Sequence, residues 1–185
     1  THVILGLDGP YAWELLADLV GPPVIGVPYL ALATLPELGG FGLRAGKTGE
    51  YGYDLLIHRD REVDVRARIA EHGRRFELGP GSQAAMDLAS LENGFFCVRH
   101  PGVRDLGPVE LQLQWRVDPR RTFAGVEAVR SAQQAGPRRI TWFRGDARVP
   151  KPGSPVVLDG VEVGAVVHAA RSPVAGAVGF ALLDR

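Results

Sequence analysis

Residues 44–56 read Arg-Ala-Gly-Lys-Thr-Gly-Glu-Tyr-Gly-Tyr-Asp-Leu-Leu, and the interpretation of the chain starts from this stretch. Its three glycines, Gly46, Gly49 and Gly52, stand three residues apart between two segments of strand-like composition. Glycine inside a strand pattern indicates a bulge, a tight turn or the close approach of another group to the backbone. A simple hairpin turn needs one glycine-containing dipeptide, so three glycines predict a more elaborate connection.

Polar side chains are concentrated in the same stretch, at Lys47, Thr48, Glu50 and Asp54. One interpretation is an elaborate turn with solvated charges. The other is a ligand platform on which Asp54 faces the ligand, with Thr48 and Glu50 holding the hairpin. We favour the platform, because a turn alone does not need four polar groups beside three glycines.

Composition narrows the classes of protein that the chain can belong to. It has 185 residues, 45% hydrophobic and 23% charged, with a formal net charge of zero, which is ordinary for a globular protein. The scattered Lys and Arg residues argue against a nucleic-acid partner, and the absence of a long apolar run argues against a membrane span. The single Cys97 excludes an internal disulfide and a cysteine metal cluster, and the five histidines show no metal-ligand spacing. We therefore expect a cytoplasmic protein without a metal.

The first part of the chain alternates strand and helix patterns. Strands are predicted at 3–7, 28–34, 42–45 and 53–58, and helices at 12–20, 61–72 and 83–92. Asp60 and Ser82 are the predicted N-caps of the second and third helices. The predicted buried faces are Val63, Ala67 and Ala70, with Val65 and Ile69 alongside, for the second helix, and Ala85, Leu88 and Leu91 for the third. This pattern predicts an α+β subdomain of ferredoxin-like type over residues 1–116.

The remaining part of the chain has a different pattern. One helix is predicted at 126–134, followed by strands at 139–144, 155–158, 162–170 and 177–183 that are separated by Gly, Pro and Asp turns. Residues 117–185 are therefore predicted to form a small β-barrel domain. The chain begins at Thr1 without an initiator Met and ends at Arg185 after an apolar strand, which suggests a fragment, a processed chain or a subunit.

Several motifs together resemble the glycine-cleavage T-protein (aminomethyltransferase) family. Thr48-Gly49-Glu50-x-Gly52-Tyr53-Asp54 is similar to the family signature Thr-Gly-Glu-x-Gly-aromatic-Glu. Further similarities follow in family order over nearly the whole chain: Leu-x-Leu-x-Gly-Pro at 5–10, the helix carrying Asp87, Leu91, Glu92 and Gly94, the 107–115 segment ending in Trp115, Phe-Ala-Gly-x-Glu-Ala at 123–128, and the hairpin at 160–166 with Ser172-Pro173.

The resemblance implies tetrahydrofolate as the cofactor and assigns four positions to its binding. Asp54 stands where the family has the glutamate that accepts hydrogen bonds from the pterin, and Trp115 matches a tryptophan that lines the folate site. A core tryptophan is the alternative at Trp115. Lys47 stands where the family often has tyrosine. Met86 replaces the arginine that pairs with the glutamate tail of folate.

The catalytic residue is unknown, because the family's catalytic aspartate belongs to an N-terminal region that has no match here. We expect a partner chain or segment to supply that region and a small molecule to serve as amine or methyl donor. The expected function is transfer of an aminomethyl or methyl group to tetrahydrofolate. Two alternatives remain: a non-catalytic folate-binding or accessory subunit of the same fold, and a folate-dependent demethylase or tailoring enzyme.

Overall fold

The computed structural model of the chain describes residues 1–95, 100–136, 138–146 and 148–184. Cys97 and Arg185 lie outside the described residues. Backbone packing divides the chain into two units, Thr1–Asn93 and Gly94–Arg185. The predicted domain boundary between residues 116 and 117 stays a prediction, because packing density alone does not define an inherited domain.

The first unit is a four-stranded antiparallel sheet with helices. Its elements are β1 (His2–Asp8), α1 (Ala12–Val20), β2 (Leu32–Leu35), β3 (Gly40–Arg44), β4 (Gly52–His58), α2 (Glu62–Gly73) and α3 (Gln83–Glu92). The strand order is β1-β4-β3-β2. The α+β class is thus as predicted. The element order differs from the ferredoxin-like β-α-β-β-α-β unit, because three strands rather than two lie between α1 and α2.

One face of this sheet holds the core. Tyr53, Leu55 and Ile57 alternate along β4 and are each at most 1% exposed, so the residues between them point to the opposite face. Helix α1 packs on the core with its Ala12, Leu15, Leu16 and Leu19 side chains buried. It ends at Gly21, and prolines follow at once, as predicted from the sequence.

Helix α2 turns a different face to the core from the one predicted. Val65 is fully buried and Ile69 packs against the core cluster, whereas Val63 is 82% exposed and Ala67 and Ala70 are also exposed. Val65 and Ile69 are four residues apart and so share one face of the helix, where their side chains bury more apolar surface than Ala67 and Ala70 would. The predicted cap was also wrong: Arg61 occupies the N-cap position, and Asp60 instead contacts the His58 imidazole.

Helix α3 begins where the sequence predicts. The Ser82 hydroxyl accepts a hydrogen bond from the backbone N–H of Ala85 at 3.1 Å, which is the predicted N-cap. Leu91 is buried, as expected, but Ala85 is exposed and Ser90 is buried in its place. A buried serine needs a hydrogen-bond acceptor, and Ser90 finds one in the loop described below.

The second unit contains one α-helix and a four-stranded antiparallel sheet among its described residues. The elements are α4 (Val126–Ala135), β5 (Arg139–Gly145), β6 (Pro155–Leu158), β7 (Val161–Ser172) and β8 (Gly176–Leu183), and all five were predicted within two residues. The strand order is β5-β8-β7-β6. Pairing between the edge strands β5 and β6 is not seen in the described residues, so closure into a barrel stays a prediction.

Helix length bears on membrane association. The longest α-helix in the described part of the chain is α2, with 12 residues. A helix needs about 20 mostly apolar residues to cross the hydrocarbon core of a bilayer. None of the described helices meets that requirement.

Candidate functional site

The glycine-rich stretch forms the connection between β3 and β4. At two of its glycines the backbone of the loop comes so close that a side chain would not fit. A Cβ added to Gly46 would lie 2.4 Å from the carbonyl oxygen of Glu50, and one added to Gly52 would lie 2.5 Å from the Gly46 Cα. Gly49 has a φ of +83°, in the left-handed region that favours glycine. The three-residue spacing is therefore explained by close backbone approach at Gly46 and Gly52 and by a left-handed turn at Gly49.

The connection is held from one side by strand β1. The backbone N–H of Lys47 donates to the Asp8 carboxylate at 2.9 Å, and the backbone N–H of Gly9 donates to the Tyr51 carbonyl at 2.9 Å. A Cβ on Gly52 would lie 2.5 Å from the Asp8 Oδ1 atom, so glycine also makes room for this carboxylate. The sequence patterns assigned no role to Asp8, so its contact with the loop was missed.

Helix α3 holds the connection from the other side. The Ser90 hydroxyl lies 2.7 Å from the Lys47 carbonyl oxygen and 2.8 Å from the Met86 carbonyl oxygen, and it can donate to one of them at a time. The Asn93 side-chain amide donates to the Thr48 carbonyl at 3.0 Å. Thr48 itself is 4% exposed, in agreement with the role in the hairpin assigned to it. The Ser90–Lys47 and Asn93–Thr48 contacts join residues more than 40 positions apart, and no local pattern in the sequence signals them.

Asp54 lies at the centre of the arrangement, on the sheet face opposite the core. Its direct neighbours across the sheet are Gly6 on β1 and Leu43 on β3. A Cβ placed on Gly6 would lie 3.7 Å from the Asp8 Oδ2 atom and 3.8 Å from the Asp54 Oδ1 atom. Because Gly6 has no side chain, a notch about the size of a methyl group remains between the two carboxylates.

The ammonium group of Lys47 donates a hydrogen bond to Asp54 Oδ1 and forms an ion pair with it. The side chains are 36% and 23% exposed, so the pair is partly solvated. The loop therefore places one cation beside the carboxylate of Asp54, with a second carboxylate, Asp8, beyond the notch. The Asp54 carboxylate can accept hydrogen bonds from a ligand that presents N–H donors at the acceptor positions that the Lys47 ammonium leaves free.

The core face behind Asp54 contains a buried phenol. Tyr53 is 1% exposed, and its hydroxyl has no hydrogen-bond partner among the described residues. Burial raises the pKa of Tyr53 above its ordinary value. The positive charge of Arg44, which pairs with Tyr53 across the sheet, opposes this increase in pKa, whereas Tyr51 adds to the increase. The Tyr53 side chain belongs to the buried core cluster and lies on the strand that displays Asp54.

The four predicted site residues fall in two places. Lys47, Asp54 and Met86 belong to the first unit, where Met86 is half-buried on α3, one turn before Ser90. Trp115 belongs to the second unit, in a short 3-10 turn at Gln114–Arg116. It is 71% exposed, so the alternative of a core tryptophan is wrong. The Arg116 guanidinium lies over its ring, 4.6 Å from the centroid.

The fold and the site define a class: an α+β chain in which a glycine-spaced hairpin, held by β1 and α3, displays an acid beside a lysine. Comparison with known families agrees with the resemblance in the motifs. A sequence model of a protein family, described as the GCVT N-terminal domain, matches residues 1–121. The chain belongs to the glycine-cleavage T-protein family that this model describes.

Individual relatives support the same assignment. The chain is similar to an aminomethyltransferase of Herpetosiphon aurantiacus, with 31% identity over 94% of this chain and 48% of that protein. It is also similar to an aminomethyltransferase of Corynebacterium aurimucosum, with 28% identity over 98% of this chain and 52% of that protein. The fold is similar to that in the crystal structure of the glycine cleavage system aminomethyltransferase T from Bartonella henselae, with a TM-score of 0.77 and 24% sequence identity. The match covers 99% of this chain and 52% of that chain. The chain spans about half the length of the relatives it matches.

Proposed function

We propose that this chain carries the folate-binding part of a tetrahydrofolate-dependent one-carbon transferase of the aminomethyltransferase type. The observation that carries the proposal is Asp54, displayed on the open face of the sheet by the family's signature loop and next to the notch at Gly6. Family membership narrows the chemistry that this acid serves, because the relatives named above are aminomethyltransferases.

The proposed role of Asp54 is to hold the pterin ring. A pterin presents a ring N–H and an exocyclic amino group side by side, and one carboxylate can accept from both in a bidentate arrangement. Aspartate is shorter than the glutamate of the family signature by one methylene. The missing side chain at Gly6 supports the proposal, because a ligand can approach the shorter acid more closely there.

Two other positions contribute to the proposal in different ways. The exposed indole of Trp115, which belongs to the second unit, offers a flat apolar face on which an aromatic ring can stack. Met86 carries no charge, so this position offers no ion pair to an anionic tail such as the glutamate of folate. We therefore propose that pterin recognition, rather than recognition of the tail, provides most of the affinity of this chain.

The remaining parts of the reaction are proposed to come from elsewhere. The relatives are about twice as long as this chain, and we propose that a segment or partner corresponding to the unmatched length supplies the acid that orients the donor amine. The donor would be a small molecule that carries an aminomethyl or methyl group. Asp54 would bind the acceptor and hold it in place.

Calorimetric titration of 5-formyl-tetrahydrofolate into this chain tests the proposal. We expect saturable binding that Asp54→Ala abolishes, because the variant removes the bidentate acceptor. Asp60→Ala is the matched control, since Asp60 is an exposed acid shortly after the same strand, and it should bind like the wild type. Equal binding by Asp54→Ala would contradict the folate assignment. Absence of binding would also contradict it if Lys47→Met, which lacks the ammonium beside Asp54, failed to bind as well.

A second candidate function is a non-catalytic folate-binding or accessory subunit. The uncharged Met86 and the ion pair that occupies Asp54 favour it, because both weaken the folate contacts of an active enzyme. The two functions differ in turnover. Addition of a chain that carries the unmatched half of a relative should give aminomethyl transfer if the first proposal holds, whereas binding without transfer would favour the accessory role.

A further inference from the structure

One of the two carboxylate oxygens of Asp54 is already occupied. The Nζ atom of Lys47 donates a hydrogen bond to Oδ1 of Asp54. Lys47 lies in the glycine-spaced loop, seven residues before Asp54 on β4. Each carboxylate oxygen has two lone-pair positions, and the Lys47 ammonium fills one of those on Oδ1, so fewer positions remain for a ligand that recognises both oxygens. A ligand that needs both oxygens of Asp54 therefore competes with Lys47.

We infer that the Lys47 ammonium closes the Asp54 site and must move aside before an N–H donor pair can bind. The inference rests on the proposed function, because it takes Asp54 as the acceptor for the pterin. It gives Lys47 the role of a competitor with the ligand, which differs from that of a direct ligand contact.

The loop can keep its shape while the Lys47 side chain moves. The Lys47 backbone is held at both ends: its N–H donates to Asp8 at 2.9 Å, and its carbonyl oxygen lies 2.7 Å from the Ser90 hydroxyl. The side chain is 36% exposed and has a flexible four-carbon stem, so the ammonium can move into water without disturbing those bonds. Displacement of the lysine therefore leaves the hairpin and Asp54 in position.

The cost of displacement sets the size of the effect. A partly solvated ion pair of this kind is weak, so removal of the competing charge should tighten binding of 5-formyl-tetrahydrofolate by about two- to fivefold. Salt provides a second readout. Because salt screens the Lys47–Asp54 attraction, the affinity difference between the wild type and a variant without the charge should shrink as ionic strength rises.

Calorimetric titration of 5-formyl-tetrahydrofolate at ~0.02 M and ~0.5 M salt into the wild type and three variants tests the inference. Lys47→Met keeps an apolar stem of similar length without the charge, and Lys47→Arg keeps the charge as a matched control. Asp54→Ala reports on the site itself. We expect tighter binding by Lys47→Met at low salt, a smaller gain at high salt, and binding no tighter than the wild type by Lys47→Arg. Melting temperatures would check that each variant is folded.

The outcomes separate this inference from the proposed function. If the wild type binds and Asp54→Ala does not, while Lys47→Met binds equally or more weakly, Lys47 is no competitor and the inference alone is overturned. Binding by Lys47→Met where the wild type shows none would support the inference in its strongest form. If neither the wild type nor Lys47→Met binds, the inference and the proposed function both fail.

Discussion

The carboxylate of Asp8 accepts the backbone N–H of Lys47 at 2.9 Å and so joins β1 to the loop that leads into β4, 39 residues further along the chain. The two residues are therefore coupled: the strand that carries Asp8 fixes the main chain of the residue whose side chain contacts Asp54. A loop that contains three glycines loses much conformational entropy when it becomes ordered. This hydrogen bond is one of the contacts that offset that loss.

Replacement of Asp8 by Ala should loosen the loop. Loss of a charged acceptor for a partly buried N–H is expected to lower the free energy of unfolding by about 1–3 kcal/mol, measured by urea denaturation. Asp8→Asn is the matched control, because its side-chain oxygen can still accept the hydrogen bond, and it should lose less than half as much. Equal losses in the two variants would show that the charge, and not the acceptor, is what the loop needs.

Gly52→Ala tests the close packing of the loop. The new Cβ would lie 2.5 Å from the Gly46 Cα and 2.5 Å from Asp8 Oδ1, and overpacking of this kind is expected to destabilise the protein by about 1–3 kcal/mol. Gly81→Ala is the control in the same unit, since nothing lies within 4 Å of its added Cβ. That variant should stay within about 1 kcal/mol of the wild type. A Gly52→Ala variant as stable as the control would contradict the observed geometry.

Ser90→Ala tests the attachment of the loop to α3. The variant removes the hydroxyl that lies 2.7 Å from the Lys47 carbonyl oxygen, and we expect a loss of about 1 kcal/mol. Hydrogen exchange should locate the effect. The backbone N–H groups of Ala45 and Lys47, which are bonded to Gly52 and Asp8, should exchange faster than in the wild type. Ser131→Ala, at an exposed position of α4, should leave these rates unchanged; unchanged rates in Ser90→Ala would contradict the attachment.

Tyr53→Phe tests the buried phenol. Removal of a hydroxyl that has no partner among the described residues should leave stability unchanged or raise it by up to about 1 kcal/mol. The pH dependence has a definite sign. Because burial raises the pKa of Tyr53 in the folded state above 10.0, the unfolded state loses its proton first, and stability should fall as pH rises above that value.

The alkaline decline distinguishes Tyr53 from exposed tyrosines. Urea denaturation at a series of pH values on both sides of 10.0 should show a smaller decline in Tyr53→Phe than in the wild type. Tyr11→Phe is the control, since Tyr11 is 54% exposed, and its decline should match that of the wild type. A wild-type decline that persists in full in Tyr53→Phe would assign it to another group.

Local sequence patterns determined most of the secondary structure. The apolar spacing of α1, the Ser82 cap of α3 and the strands of the second unit were all predicted, because each depends on periodicity or capping within a few residues. The signature at residues 48–54 also indicated the family. The faces of α2 and α3 were less predictable, since burial depends on which surfaces the rest of the chain offers.

The tertiary structure alone decided how the candidate site is built. The sequence singled out Asp54 and Lys47 but did not pair them, and it did not indicate that Asp8, Ser90 and Asn93 hold the loop. Those contacts join residues about 40 positions apart, and strand pairing and helix packing, which bring them together, are set by the free energy of the whole unit. The sequence by itself therefore determined the residue types and the family, whereas only the fold decided which of those residues meet.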